Sequence, residues 1–336
     1  MLEESNNKML EQIKEVIINS RQKVAYEVNN TMLEAYWNVG RIIVENEQNG
    51  NYKAEYGKQL IKDLSKELRK VLGNGFSVSN LFNMRRFYIT YPKFQTLSGK
   101  LSWSHYCELL SINDDSKRSF YEKECVNSNW SVRELKRQID TALFERLLLS
   151  EGKKNKEVVY KLSKDGQVLN NPEDVLKEPY VFEFLDIKES KPILEKDLER
   201  KLVRHMEDFL LELGKGFMFV GTQQRITLGN THYYVDMVFY NKILKCYVLI
   251  DLKIGQMKPE YAGQMNMYLN YYNAEINDEY DNKPIGIILC KEKKEIALEY
   301  ALGGLENNVF ASTYTYYIPD KERLISEVEK VLNDNK

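Results

Sequence analysis

At 336 residues, with 43% hydrophobic and 29% charged residues and only 7 prolines, the chain has the composition of folded soluble domains and not of a disordered or collagenous protein. Its formal net charge of -2 gives no global sign of a nucleic-acid partner, and no apolar run approaches the roughly 20 residues that would span a bilayer. Four scattered cysteines with no CxxC pair, and three histidines without ligand spacing, argue against a structural zinc site and for reduced thiols, mostly core-filling.

That length predicts two domains of roughly 150 residues each. With no basic-then-apolar leader in MLEESNNKMLEQIKEV, a cytoplasmic protein without a membrane partner is expected. Residues 1–155 read as a mostly helical domain, because apolar positions recur at spacings of three and four. The first segment, running to Glu47, predicts one long amphipathic helix or a broken pair. YGKQLIKDLSKELRKVLG follows, with Gly73 as its C-cap. FSVSNLFNMRRFYITYP then predicts a short helix capped by Ser77 or Ser79 and stopping near Pro92. In WSVRELKRQIDTALFERLL, Ser131 and Glu134 form a capping box.

This region hides a local charge. From Lys58 to Lys100 there are nine Lys or Arg against two acids. Lys58, Lys62, Lys66 and Lys70 make one stripe, opposite a core side of Leu60, Ile61, Leu64, Leu68 and Leu72. Such a stripe is usually a solvated face. The turn at Gly73–Gly75 and a following helix with Ser79, Asn80, Asn83, Arg85 and Arg86 give it a helix-turn-helix-like context, with side chains suited to phosphates and base edges. Lys62, Lys66, Arg85 and Arg86 are the nucleic-acid contacts this predicts. His105 reads as a hydrogen-bonded core histidine.

Residues 156–190 are rich in charge and in turn signals, Asp165-Gly166 and Asn171-Pro172, and read as a junction. Residues 191–336 alternate helices with strands. A helix over Leu194–Leu213 precedes strands over Phe217–Leu228, Tyr233–Tyr240 and Lys245–Lys253, with a turn at Gly229-Asn230. A helix over Pro259–Tyr272, the strand PIGIILC, another helix, the short strand TYTYYI and a last helix from Pro319 follow. The fold class expected is therefore two-domain α+β, a helical domain followed by an α/β domain with a helix-covered sheet.

The run Tyr247-Val248-Leu249-Ile250 reads as a buried strand, yet it ends on Asp251, with Lys253 two residues on. Alternation puts Leu249, Asp251 and Lys253 on one face. With Asn241–Leu244 as the hairpin loop, Tyr240 pairs with Lys245 and Asp236 falls opposite Leu249, so both acids and the lysine share a face. Two nearby carboxylates repel unless a cation lies between them, and Mg²⁺ (or Mn²⁺) suits such oxygen ligands. A lone D-x-K at a strand end is ordinarily a surface ion pair, so the argument rests on Asp236 as well.

VDMVFYNKILKCYVLIDLKIG resembles the core motif of PD-(D/E)XK phosphodiesterases, and the chain looks closer still to the YhcG-type bacterial nucleases. The stretches that carry this second likeness include YWNVGRIIVE, LSWSHYCELL, DLERKLVRHMEDFLLELGKGFMFVGTQQRI and KPEYAGQMNMYLNYYN. The resemblance implies a restriction-endonuclease-like C-terminal fold and metal-dependent hydrolysis of phosphodiester bonds, DNA preferred. In it Asp236 and Asp251 are the metal-binding acids and Lys253 the motif lysine. Glu199, with Glu195 as the alternative, is the additional acid, and Gln264 and Tyr268 resemble the Q-xxx-Y element of part of the superfamily. Asp251 stands where glutamate is commoner, and Val235 where the motif has proline. By resemblance, partners are DNA, a second copy of the chain for double-strand cleavage, and restriction or defence proteins. A non-catalytic DNA-binding adaptor and an RNA endonuclease remain rival readings.

Overall fold

The computed structural model describes residues 2–49, 54–150, 156–188, 193–293 and 307–326. It divides into two compact units, Met1–Leu135 and Lys136–Lys336. This boundary, drawn by packing, falls before the 155 expected from composition. Among the described residues no helix is long and apolar enough to cross a membrane.

The first unit is helical. Helix α1 (Leu2–Asn49) runs without interruption. It packs on α3 (Val78–Thr90), and Ile43, Ile61, Leu81 and Met84 form a core with Tyr36, Leu64, Leu68, Phe76 and Trp103 around it. Helix α2 (Ala54–Leu72) ends where Gly73 takes a φ of 86° and donates its N–H to Arg69 O. A 3₁₀ turn over Asn74–Phe76 leads to α3, whose N-cap is Ser77, accepting from Asn80 N. Leu72, expected on the core side, is 59% exposed, because it lies one turn beyond the Leu68 contact. Helices α4 (Trp103–Leu109) and α5 (Asp115–Ser128) follow, and α6 (Val132–Asp140) spans the boundary at Leu135. The Ser131–Glu134 capping box forms, with Ser131 N donating to Glu134 Oε2 at 2.6 Å.

In the second unit, α7 (Leu143–Ser150) and α8 (Lys156–Asp165) precede β1 (Tyr180–Val181), which lies inside the expected junction yet pairs in parallel with β6 (Asn308–Thr315). The helix expected over Leu194–Leu213 is broken at His205 into α9 (Glu195–Arg204) and α10 (Met206–Leu213). Strands β2 (Phe217–Leu228), β3 (Thr231–Asn241) and β4 (Cys246–Gln256) form an antiparallel meander; α11 (Pro259–Tyr271) then crosses to β5 (Ile285–Glu292). The sheet order is β1-β6-β5-β4-β3-β2, parallel from β1 to β4. One face packs on α9 and α10 through Leu198, Leu202, Phe209 and Leu213; the other packs on α11 through Met265, Tyr268 and Leu269. The helix expected after β5 falls largely on 294–306, outside the described residues, whereas 321–326 are helical as expected.

The β3–β4 hairpin corrects one expectation. Its end pair is Asn241↔Cys246, so the loop is 242–245. Asn241 is fully buried, and its Oδ1 accepts from both Ile243 N and Leu244 N, while Lys245 takes a left-handed φ of 51°. This Asx-type turn moves the register by two, which keeps every side chain on its face. The ladder then runs to Met237↔Ile250, and its continuation sets Asp236 opposite Asp251.

Candidate active site

The two acids meet where the β3–β4 ladder opens. Beyond the last pair, Asp236 Oδ2 accepts from Leu252 N at 2.9 Å, so a side chain replaces the ladder bond and holds the carboxylate against β4. Asp251 is buried at 3% exposure, and its Oδ2 lies 2.8 Å from Lys253 Nζ. Burial first, then the neighbouring Asp236, pushes the Asp251 carboxyl up to about 7, although Lys253 pulls the other way. Burial alone would lower the Lys253 ammonium, but Asp251, Asp236 and Glu195 together raise it, so Lys253 keeps its proton. Its Nζ also lies 3.6 Å from Glu195 Oε2 and 5.2 Å from the centre of the Tyr261 ring.

A residue the sequence reading did not single out links the rest. Gln223 on β2 lies opposite Asp236, since Thr222 pairs with Met237 and Gln224 with Val235. Its Nε2 donates to Asp236 Oδ1 at 3.1 Å and to Glu199 Oε2 at 2.9 Å. Its φ of 48° is left-handed, a conformation uncommon for a non-glycine residue. Burial and then Asp236 raise the Glu199 carboxyl. Glu195, Lys196, Glu199, Arg200, Gln223 and Asp236 line a cavity of about 550 Å³. Both acids weighed for the additional role thus reach the site, Glu199 through Gln223 and Glu195 through Lys253.

Gln264 and Tyr268 lie one turn apart on α11. Gln264 Nε2 donates to Tyr268 Oη at 2.5 Å, and that hydroxyl donates to Tyr234 O at 3.2 Å. Tyr268 is buried among the core residues of this face, so the pair anchors α11 to β3.

The donor set suits a hard divalent ion. Asp236 and Asp251 offer oxygens only, they repel each other as they stand, and Glu199 is one amide away. Among the described residues no three His, Cys, Asp or Glu side chains converge as a ready-made cage. Two carboxylates with remaining positions left to water is how Mg²⁺ is usually held.

In the first unit, Lys62 and Lys66 are exposed on α2, and the side chain of Lys58 lies outside those described. Lys70 pairs with Glu67 at 2.7 Å. On α3, Arg85 Nε donates to Glu47 Oε2 at 2.7 Å while its side chain stays partly exposed; Arg86 is exposed and donates to Asn113 Oδ1. Asn80 is also used internally, donating to Gly75 O and accepting from Trp103 Nε1. His105 bonds Ser102 and Trp130 O, as expected of a core histidine.

Residues 173–329 match a family model described as the YhcG PDDEXK nuclease domain, and residues 12–146 match one described as the DUF1016 N-terminal domain. The curated protein "Putative nuclease YhcG" of Escherichia coli (strain K12) is 38% identical over 345 residues, covering 93% of this chain and 91% of that protein. Among solved structures, a repair endonuclease from Pyrococcus abyssi is 18% identical with a TM-score of 0.26, the match spanning 38% of this chain and 49% of that one. An EndoMS complex with double-stranded DNA is 13% identical, also with a TM-score of 0.26, over 40% of this chain and 51% of that one.

Proposed function

Since the chain belongs to the YhcG family of PD-(D/E)XK nucleases, we propose that it cuts DNA in a divalent-metal-dependent reaction centred on Asp236, Asp251 and Lys253. The observation that carries this reading is the convergence of the two carboxylates at the open end of the ladder, with Lys253 2.8 Å from Asp251.

Asp236 and Asp251 would hold Mg²⁺ or Mn²⁺. When bound, such an ion lowers the pKa of water and offsets charge on a phosphoryl oxygen. The chain's own groups supply the rest. Lys253 retains its proton, so it acts as a hydrogen-bond donor and a positive charge facing the phosphoryl oxygens that gain charge as water attacks phosphorus. A charge pair at about 4 Å with an effective dielectric near 20 is worth about 4 kcal/mol, enough to matter to such a transition state. Glu199, raised by burial and by Asp236, is suited to take a proton from water in the adjoining cavity. Gln223 fixes the distance between Glu199 and Asp236, holding both carboxylates toward one volume. Gln264 and Tyr268 support β3 from behind, through Tyr234 O. Lys62, Lys66 and Arg86 are the positions on the first unit where phosphates would be held.

The test is cleavage of labelled double-stranded, single-stranded and branched DNA, and of matched RNA, with Mg²⁺, Mn²⁺ or EDTA. Wild type should cut DNA only with metal, and Lys253→Ala should lose at least about 100-fold in rate. Cutting by Lys253→Ala at the wild-type rate, or in EDTA, would sink the assignment. Preferential cutting of RNA would replace the substrate.

A further inference from the structure

Helix α9 carries two parallel stripes. Glu195 and Glu199, four residues apart, serve the candidate site. Lys196, Arg200 and Arg204, each one residue later or on the same spacing, are exposed along the adjacent line, about 6 Å of helix axis apart. Arg200 lines the cavity shared by Glu199, Gln223 and Asp236. It also lines a second cavity of about 490 Å³, whose walls include Lys188, Lys201 and Arg204. The two cavities therefore share Arg200 in their walls.

The composition of the second cavity is selective. Among the described residues that line it, four cations, Lys188, Arg200, Lys201 and Arg204, outnumber two acids, Asp186 and Asp197, and Ile187 and Ile193 add an apolar patch. Arg200 lies 3.4 Å from Asp197, but both side chains are about half exposed or more, so this pair holds the guanidinium only weakly. A polyanion approaching the cut site meets Glu195, Glu199, Asp236 and Asp251, which repel it. Cations alongside are what can bring the strand in against that field.

We infer that this second cavity is a phosphate subsite for the DNA strand on one side of the cut, with Arg200 at its border and Arg204 and Lys188 holding the next phosphate outward. The inference rests on the nuclease reading above, and it deepens that reading by giving the strand a direction along α9. The isoleucines would meet the apolar face of a base or sugar.

The experiment uses the full chain in EDTA, where binding is read without cutting. Fluorescein-labelled DNA is titrated at several KCl concentrations with wild type, Arg204→Gln, Lys188→Gln and the double variant; Arg204→Lys controls for charge. Each single loss should lower the slope of log affinity against log salt by about 0.7–0.9 and weaken binding about 5- to 10-fold near 0.1 M salt. Arg204→Lys should restore the slope. A neutral methylphosphonate walked along the strand should weaken wild type at one position, to which Arg204→Gln is indifferent. If wild type cuts DNA with Mg²⁺ while Arg204→Gln and Lys188→Gln bind with wild-type affinity and slope, the subsite is wrong and the nuclease stands. If wild type neither binds nor cuts DNA with Mg²⁺ or Mn²⁺, the nuclease reading fails and takes the subsite with it.

Discussion

Asp251 carries a cost in the folded protein. A free aspartate titrates near 3.9, whereas here burial and Asp236 push it to about 7. Between those values the folded protein binds more protons than the unfolded chain. Stability therefore falls as pH rises through about 4 to 7, and the full penalty remains above that window. Asp251→Asn should raise the melting temperature of metal-free protein by a few °C at pH 8, with the gain fading at pH 5. Mg²⁺ should raise wild-type melting more at pH 8 than at pH 5, and the variant's hardly at all. Differential scanning fluorimetry at both pH values checks this, and a metal-free wild type more stable than the variant at pH 8 would refute it. The face shared by Asp236, Asp251 and Lys253 was legible because strand alternation has a period of two, so the two-residue register shift left it intact. Gln223 was not legible. GTQQRI offers two glutamines, and what selects one is the left-handed φ at Gln223, which no periodicity reports.

At the level of elements, helices were readable where caps and periodicity agree, as at Ser77, Ser131 and Gly73. The break at His205 was not. Apolar residues 198, 202, 206, 209 and 213 keep helical spacing across it, and neither Pro nor Gly marks it. The kink nonetheless has a consequence, since α9 presents Glu199 to the site while α10 carries Glu212 into a separate charged cluster. Strand β1 was hidden by its length of two residues, too short for alternation to register. In the first unit, the close approach of α1 to α3 depends on Gly40. A Cβ there would come within 2.0 Å of Met84 O, which is backbone and cannot swing aside. Gly40→Ala should therefore destabilise the protein by about 1–3 kcal/mol or more, although alanine is the better helix former. Urea unfolding followed by circular dichroism measures it; an unchanged or raised midpoint would mean the helices are not held at that distance.

For the molecule as a whole, the length of the chain suggests two domains, but nothing in the sequence assigns α6 and α7 to one unit or the other. Arg137 of α6 and Arg146 of α7, read as part of the helical domain, belong to the second unit and are paired within it. Arg146 Nη1 donates to Glu212 Oε1 at 2.5 Å with both side chains fully buried, and Arg137 bridges Glu212 and Glu183. Lys177 donates to Glu212 O, and Val181 N on β1 donates to Glu212 Oε1. In a single sequence FERLLL does not disclose a buried arginine, because the burial of Arg146 depends on partners 33 and 66 residues away, Pro179 O and Glu212. Burial by itself would raise the Glu212 carboxyl; Arg146, Lys177 and Arg137 outweigh it and hold it at about 2. A depressed carboxylate contributes stability that is present above its unfolded value near 4.3 and lost as pH falls toward 2. Glu212→Gln leaves the fully buried Arg146 without its carboxylate and Arg137 with Glu183 alone, and should cost about 3–5 kcal/mol at pH 7. The gap from wild type should narrow as pH drops from about 4 to 2. The apolar double variant Arg146→Met, Glu212→Leu should be less destabilised than Glu212→Gln, since it removes both desolvated charges of the closest pair. Chemical denaturation across this pH range decides the matter: a Glu212→Gln gap that is small at pH 7, or that widens in acid, would show that the cluster is not what joins α7, α10 and β1.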